Sequence, residues 1–197
     1  MDIDEIIAFA RKNGGFIRTS ELSKLNADYR RIQRLIQDEI IEKVKNGLYV
    51  LKDIEATEED LIANMFRDGV LCMNSALKYH GYIDIPPFSW HIAVDKDTSK
   101  SRFKIDYPYV KPYYMEDDQL MLGAELREFA SSKMYIYNKE RVICDCLKYE
   151  SKMERSIYNA AIRKYINDDD KNPEYLFEYA NKRRIYKKAK DVLGIWI

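Results

Sequence analysis

The first apolar residues of the chain recur at the spacing of an amphipathic helix. They stand at positions 3, 6, 7 and 10, and the Asn13-Gly14-Gly15 sequence that follows favours the end of a helix. A shorter second helix is expected to run to Leu25. It would begin at Thr19 or Ser20, because a hydroxyl side chain at a helix start accepts hydrogen bonds from unpaired backbone N–H groups.

A third helix and a hairpin follow directly. The stretch DYRRIQRLIQ, residues 28–37, keeps a thin apolar stripe at helical spacing, with Asp28 as its cap, and predicts a helix to about residue 38. Residues 40–51, IIEKVKNGLYVL, contain two β-prone runs joined by Asn46-Gly47, which is a strong signal for a tight hairpin. Three short helices followed by a hairpin match the winged helix-turn-helix arrangement.

The rest of the chain alternates predicted helices and strands. Thr57 with Asp60 is expected to cap a helix, and residues 90–95 and 133–138 are predicted strands. Prolines confine the extended residues 104–115 to a sheet edge or a bulge. Helical spacing dominates after Asn138. The sequence therefore predicts an α+β protein: a winged helix-turn-helix domain over residues 1–55, then a mixed α/β domain over residues 56–197 with a small sheet and several helices.

Charge changes this picture only locally. The chain has 33 basic and 33 acidic residues, so its overall charge gives no argument for a nucleic-acid or membrane partner. Residues 11–52, however, hold ten Lys or Arg against five acidic residues, a net charge of +5. A basic segment inside a neutral chain is consistent with a DNA-binding domain that occupies only the first part of the protein.

The third helix carries the side chains expected to read DNA. Arginine and glutamine have paired donors and acceptors that match guanine and adenine edges. On the polar side of this helix, the expected DNA-binding residues are Tyr29, Arg30, Arg31, Gln33, Arg34 and Gln37. Residues better suited to phosphate oxygens are Thr19, Ser20, Lys43, Lys45 and Asn46. The alternative is an ordinary solvated helix face, on which the same residue types serve solubility.

A second basic run lies near the C-terminus. The sequence NKRRIYKKAK, residues 181–190, suggests a further DNA contact, for which Arg183, Arg184, Lys187 and Lys188 are the expected residues. The alternative is a solvated face of the last helices, balanced by the nearby acidic residues 168–170.

Three sequence blocks resemble the AbiEi antitoxin family. They are FIRTSELSKLNADYRRIQRLIQDEIIEKVKNGLYVL from Phe16, NSALKYHGY from Asn74 and YNKERVICDCL from Tyr137. The resemblance implies the antitoxin of a type IV toxin–antitoxin pair in phage-defence operons, which represses its own operon by binding inverted repeats at the promoter. It also implies a nucleotidyltransferase-like toxin that is countered without a stable direct complex. The family's recognition helix falls on residues 28–38 and its wing on residues 41–51.

Other chemistry is weakly represented. Cys72, Cys144 and Cys146 are too few for a disulfide scaffold or a zinc site. We expect Cys144 and Cys146 to be core residues, and Arg141 and Asp145 to form a pair on a helix surface. No sequence motif of a nucleotide-binding or hydrolytic enzyme occurs, so we expect no enzymatic activity, cofactor or metal. Without an apolar run of about 20 residues or a basic leader, a cytoplasmic location and no membrane partner are expected.

A second class of function remains open. The winged domain and the C-terminal tail GIWI, residues 194–197, would then serve as docking surfaces for another protein. Exposure of the tail would favour this alternative, because an exposed apolar patch tends to be covered by a partner. We expect the tail instead to fold into the core of its own domain.

Overall fold

The computed structural model describes residues 3–86 and 88–196. The protein has an α+β fold, as expected, and divides into two compact units. The first unit runs to Arg67 and includes Glu128–Lys133, and the second contains the rest of the described chain. The division thus falls after residue 67 rather than at the expected residue 55.

The first unit combines four helices with a small antiparallel sheet. Its elements are α1 (Ile3–Lys12), β1 (Phe16–Arg18), α2 (Thr19–Lys24), α3 (Tyr29–Gln37), β2 (Ile41–Lys45), β3 (Leu48–Leu51) and α4 (Glu58–Met65). The strand order is β1-β3-β2. The three expected helices and the hairpin are confirmed, and the expectation missed β1, whose three residues are too few to show a pattern.

Apolar residues from α1, α2, α3 and the three strands meet in one core. Ile6 of α1, Leu22 of α2 and Leu35 of α3 are all at most 1% exposed and pack in the same cluster. Burial of each such side chain contributes about 1.5–3 kcal/mol. The stripe on α3 therefore fixes which side of that helix faces solvent.

Helix α4 is hydrogen-bonded to Glu128–Lys133, the later segment of the chain that also belongs to the first unit. Thr57 caps α4 as expected, and its backbone N–H donates to Asp60 Oδ2 at 3.1 Å. The other oxygen of Asp60 accepts hydrogen bonds from the backbone N–H of Ser131, at 3.0 Å, and from the Ser131 hydroxyl. Asp60 is only 8% exposed, and both of its carboxylate oxygens accept hydrogen bonds.

The remaining elements form a mixed sheet and a group of helices. The strands are β4 (Val70–Leu71), β5 (Trp90–Asp95), β6 (Val110–Met115), β7 (Ala124–Phe129) and β8 (Ser132–Tyr137). The helices are α5 (Met73–Tyr79), α6 (Asp117–Leu120), α7 (Lys139–Lys148), α8 (Arg155–Ile166), α9 (Pro173–Lys182) and α10 (Tyr186–Leu193). Helix α7 packs against α5, α8, α9 and α10.

The sheet has the order β6-β5-β4-β8-β7. Strands β4 and β5 are antiparallel, whereas β5/β6 and β4/β8 are parallel. Within the described residues β6 lies at the sheet edge, which agrees with the presence of Pro112 in it. Strand β7, AELREF, was not predicted, because its exposed residues give no clear alternation of apolar and polar side chains.

Candidate nucleic-acid interface

Helix α3 begins and ends where its sequence indicates. Asp28 precedes it in an extended conformation, and the Asp28 side chain accepts a hydrogen bond from the Arg31 backbone N–H at 2.8 Å. This cap satisfies one of the unpaired donors at the helix start. With Ile32 and Leu35 buried, the opposite side of α3 is directed to solvent.

That opposite side brings the expected reading residues together. Five side chains, all Arg or Gln, line one shallow concavity on the helix: Arg30, Arg31, Gln33, Arg34 and Gln37. Tyr29, at the first turn of α3, is 75% exposed. We name this surface, formed by the five side chains and Tyr29, the α3 face. No carboxylate belongs to the helix itself, so the α3 face is cationic.

Arg30 and Arg34 of the α3 face differ from other cationic side chains of the first unit in having no carboxylate partner in the described chain. Arg11 pairs with Asp53, Lys52 with Glu42 and Arg67 with Glu21. By contrast, no carboxylate in the described chain pairs with Arg30 or Arg34. A guanidinium that has no protein partner is available to bind a phosphate or a base edge in bidentate geometry.

The start of α2 lies beside the hairpin turn. The backbone N–H of Thr19 donates to the carbonyl of Gly47 at 3.0 Å. Thr19, Ser20 and Asn46 are all exposed, so three expected phosphate-binding residues belong to neighbouring segments. Gly47 in this turn has a φ of +80°, a left-handed conformation that glycine adopts without steric cost.

The expected cap of α2 is wrong. Thr19 and Ser20 are its first two helical residues, and Arg18 precedes them as the cap residue. The Glu21 carboxylate accepts the Arg18 backbone N–H at 2.7 Å. A glutamate three residues after the cap therefore fixes the helix start, and the two hydroxyl groups are not needed there.

The two lysines of the hairpin have different surroundings. Lys43 is exposed, whereas Lys45 is half-buried. The Lys45 ammonium lies 5.0 Å from the centre of the Phe66 ring and donates to the Met65 carbonyl at 3.4 Å. A cation–π contact of this kind holds Lys45 against the end of α4. Of the two lysines, Lys43 therefore has the ammonium that is more accessible from solvent.

The C-terminal basic run is not one surface. Arg183 is only 3% exposed, and its guanidinium binds the buried carboxylate of Asp145. Its expected DNA contact is wrong, because a buried, paired cation cannot reach a ligand outside. Lys188 pairs with Glu150 at 2.9 Å, and Arg184 and Lys187 remain exposed. Folding thus divides a cluster that looked continuous in the sequence.

Arg141 and Asp145 also differ from expectation. Both side chains are 0% exposed, so the expected surface pair is a buried one, with 3.2 Å between Arg141 Nε and Asp145 Oδ2. The i,i+4 spacing correctly indicates that the two side chains pair, but spacing alone does not show that α7 is covered on several sides.

Cysteine and histidine provide no metal site in the described chain. Cys72, Cys144 and Cys146 are buried free thiols, and burial raises the pKa of Cys144 to about 12. His80 Nε2 donates to the Tyr137 carbonyl at 2.8 Å, and burial lowers the pKa of that ring. Within residues 3–86 and 88–196, no cluster of three or more His, Cys, Asp or Glu has the geometry to hold a metal ion.

The C-terminal tail also departs from expectation. Ile195 is 84% exposed and Trp196 is 59% exposed, so these residues do not fold into the core. Ile197, the last residue of the tail, lies outside the described residues. Two adjacent apolar side chains are thus open to solvent at the end of the last helix.

Comparison with known proteins adds no assignment, since the chain matches no family model and no curated protein. None of the helices in the described chain combines the length and apolar character that crossing a membrane requires.

Proposed function

We propose that the first unit is a winged helix-turn-helix domain that binds double-stranded DNA. The observation that carries this proposal is the cationic α3 face, on which Arg30 and Arg34 have no carboxylate partner in the described chain. The element order supports it, because a helix-turn-helix pair is followed by a two-stranded hairpin that β1 extends to three strands.

The side chains of the α3 face suggest a division of roles in a complex with DNA. Arg30 and Arg34 are suited to guanine edges, and Gln33 and Gln37 to adenine edges. The flat, exposed ring of Tyr29 lies at the helix start, where recognition helices approach the bases. Phosphate contacts are assigned to exposed residues of the neighbouring segments: Thr19, Ser20, Lys43 and Asn46.

The resemblance to the AbiEi antitoxins suggests the biological setting. In this proposal the protein is a cytoplasmic repressor of its own toxin–antitoxin operon, and the second unit counters a nucleotidyltransferase-like toxin without a stable complex. Each chain supplies one reading helix, so inverted repeats at the promoter require two copies. Co-expression with the adjacent gene tests this setting: restored growth on induction supports it, and growth arrest that the protein does not relieve contradicts it.

DNA binding is tested by fluorescence anisotropy with a duplex from the region upstream of the gene. The test variant is Arg30→Ala/Arg34→Ala. The matched control is Arg11→Ala/Lys52→Ala, which removes the same charge from two cations that have carboxylate partners. We expect the test variant to bind at least tenfold more weakly, at about 1.4 kcal/mol per tenfold change.

The salt dependence separates this result from a general charge effect. The control variant should keep the wild-type slope of log K against log salt. The test variant should lower that slope by about one for each of its two arginines that also contacts a phosphate. Unchanged affinity of the test variant, or equal losses in both variants, would overturn the assignment of the α3 face.

The exposed tail favours a second candidate function, a protein-interaction module. Here Ile195 and Trp196 anchor a partner, and the winged unit serves as a docking surface. Sedimentation velocity of the full chain and of Ile195→Ser/Trp196→Ser tests for a second copy as that partner. A concentration-dependent dimer that the variant loses, together with no DNA binding by the wild type, would favour this function over the first.

A further inference from the structure

A polar cavity lies in the second unit, and the residues proposed to bind DNA do not line it. It has a volume of about 340 Å³ and lies where the start of α5, strands β5 and β6 and the segment before α8 meet. A larger cavity of about 650 Å³ adjoins it. Both cavities share four lining residues, namely Asn74, His91, Lys111 and Glu154.

Lysines dominate the charge of this cleft. Lys111 and Lys152 line the smaller cavity and Lys164 the larger one. The Lys111 ammonium lies 5.6 Å from the centre of the Tyr113 ring, and that of Lys152 lies 6.0 Å from the Tyr149 ring. In the described chain, none of the three lysines forms an ion pair with a carboxylate.

Two acidic side chains also line the cleft and partly offset these lysines. Glu154 borders both cavities and accepts a hydrogen bond from the Ser156 hydroxyl, and Asp84 borders the larger cavity. Three lysines against two carboxylates leave the cleft with a net positive charge. This net charge favours the binding of an anionic group in the cleft.

His91 adds a neutral donor at the same place. His91 is 7% exposed. Its Nδ1 accepts the Asn74 backbone N–H at 3.4 Å and lies 3.4 Å from the Tyr113 hydroxyl, an arrangement that favours the tautomer with the proton on Nε2. Burial, assisted by Lys111, lowers the pKa of His91 to about 4, so the ring is neutral near pH 7. A neutral imidazole N–H can donate to an anion without adding a second buried charge.

The larger cavity continues from this polar end along an apolar wall. Ile83, Ile157 and Ala160 line it, together with the ring of Tyr82. Concave sites that combine apolar walls with a few convergent polar groups are typical of small-molecule binding.

We propose that this cleft binds a small amphiphilic anion. Its phosphate or carboxylate head lies at Lys111, Lys152 and His91, and its apolar body lies against Ile83 and Ile157. The lysines supply charge-assisted hydrogen bonds, and water leaves the apolar wall when the body binds. The site lies wholly within the second unit and does not depend on whether the first unit binds DNA.

Two fluorescent probes that differ by one anionic group test the proposal on the full chain. They are 1-anilinonaphthalene-8-sulfonate and its uncharged relative N-phenyl-1-naphthylamine. We expect saturable binding of one sulfonate probe per chain, and an affinity about tenfold lower in Lys111→Ala. Lys104→Ala, which removes an exposed lysine outside the cleft, is the control and should leave the affinity unchanged.

The opposite charge change sharpens the result. Glu154→Gln removes the carboxylate that both cavities share, and we expect it to tighten binding of the sulfonate probe by about threefold. Neither cleft variant should change the affinity of the uncharged probe. Equal effects of Lys111→Ala and Lys104→Ala, or equal effects of a variant on both probes, would overturn the proposal.

Competition against the sulfonate probe identifies the head group. Displacement by adenosine monophosphate assigns a phosphate, and displacement by decanoate assigns a carboxylate. If neither displaces the probe, the cleft is not a site for either class of ligand and the proposal is wrong.

Discussion

Arg183 and Asp145, 38 residues apart in the chain, form an ion pair in the interior of the second unit. Their side chains are 2% and 0% exposed. The other carboxylate oxygen of Asp145 accepts a hydrogen bond from Arg141 Nε. Arg141 Nη1 donates to the backbone carbonyls of Gln119 and Leu122, each at 2.7 Å. One buried carboxylate thus compensates two buried guanidinium groups on α7 and at the end of α9.

We expect Asp145→Ala to destabilise the protein strongly. Removing one partner of a buried ion pair leaves an uncompensated charge and costs about 3–5 kcal/mol, and here two arginines lose the same carboxylate. Urea unfolding followed by circular dichroism measures the change. Loss of cooperative unfolding in this variant would also support strong destabilisation, because it would show that the second unit no longer holds its native packing.

Lys182→Ala is the matched control for this experiment. Lys182 precedes Arg183 and pairs with Glu178 at 2.6 Å, but its side chain is 53% exposed. An exposed pair of this kind contributes little to stability, because solvent screens it. Equal losses of stability in Asp145→Ala and Lys182→Ala would contradict the central role of Asp145.

The two hairpin lysines should respond differently to substitution. Lys43→Ala removes an exposed cation, so we expect weaker DNA binding, a salt slope lower by about one, and little change in stability. Lys45→Ala removes the contact with Phe66, so we expect a loss of about 0.5–1 kcal/mol in stability and a smaller effect on the salt slope. Anisotropy and urea titrations of both variants measure these changes, and the reverse order of the two effects would refute the distinction.

Asp168 should make stability depend on pH. Although burial opposes it, hydrogen bonds from Lys139 and Tyr82 lower the pKa of Asp168 to about 2, from an ordinary value of 3.8. The carboxylate is thus ionised more readily in the folded chain, which contributes about 2 kcal/mol above pH 4. This contribution is lost as the pH falls from about 4 towards 2.

Asp168→Asn checks this dependence. The substitution should reduce the free energy of unfolding by about 2 kcal/mol at pH 7, and by less at pH 3, because part of the wild-type advantage is then gone. Urea titrations at both pH values provide the comparison. A difference between wild type and variant that stays constant from pH 7 to pH 3 would rule out the lowered pKa of Asp168.

The sequence predicted elements whose determinants are local. Helix α3 has its cap and its apolar stripe within ten residues, and the hairpin turn depends on Asn46 and Gly47. The sequence could not predict features that depend on distant partners. Arg183 looked like part of a basic patch because Asp145, which binds it, belongs to another helix. Likewise, no sequence pattern indicates that Lys45 contacts Phe66, since the end of α4 approaches Lys45 only in the fold.

The first unit is formed by two separate segments of the chain, although its proposed DNA-binding helix lies wholly in the first of them. The backbone enters this unit a second time at Glu128–Lys133, where Ser131 supplies both hydrogen bonds to one oxygen of Asp60. A fragment that stops at Arg67 would lose both donors and leave that oxygen of Asp60 without them. A transplanted first unit would therefore have to carry the β7–β8 turn, and recombination at residue 67 would separate Asp60 from the Ser131 donors that bind it.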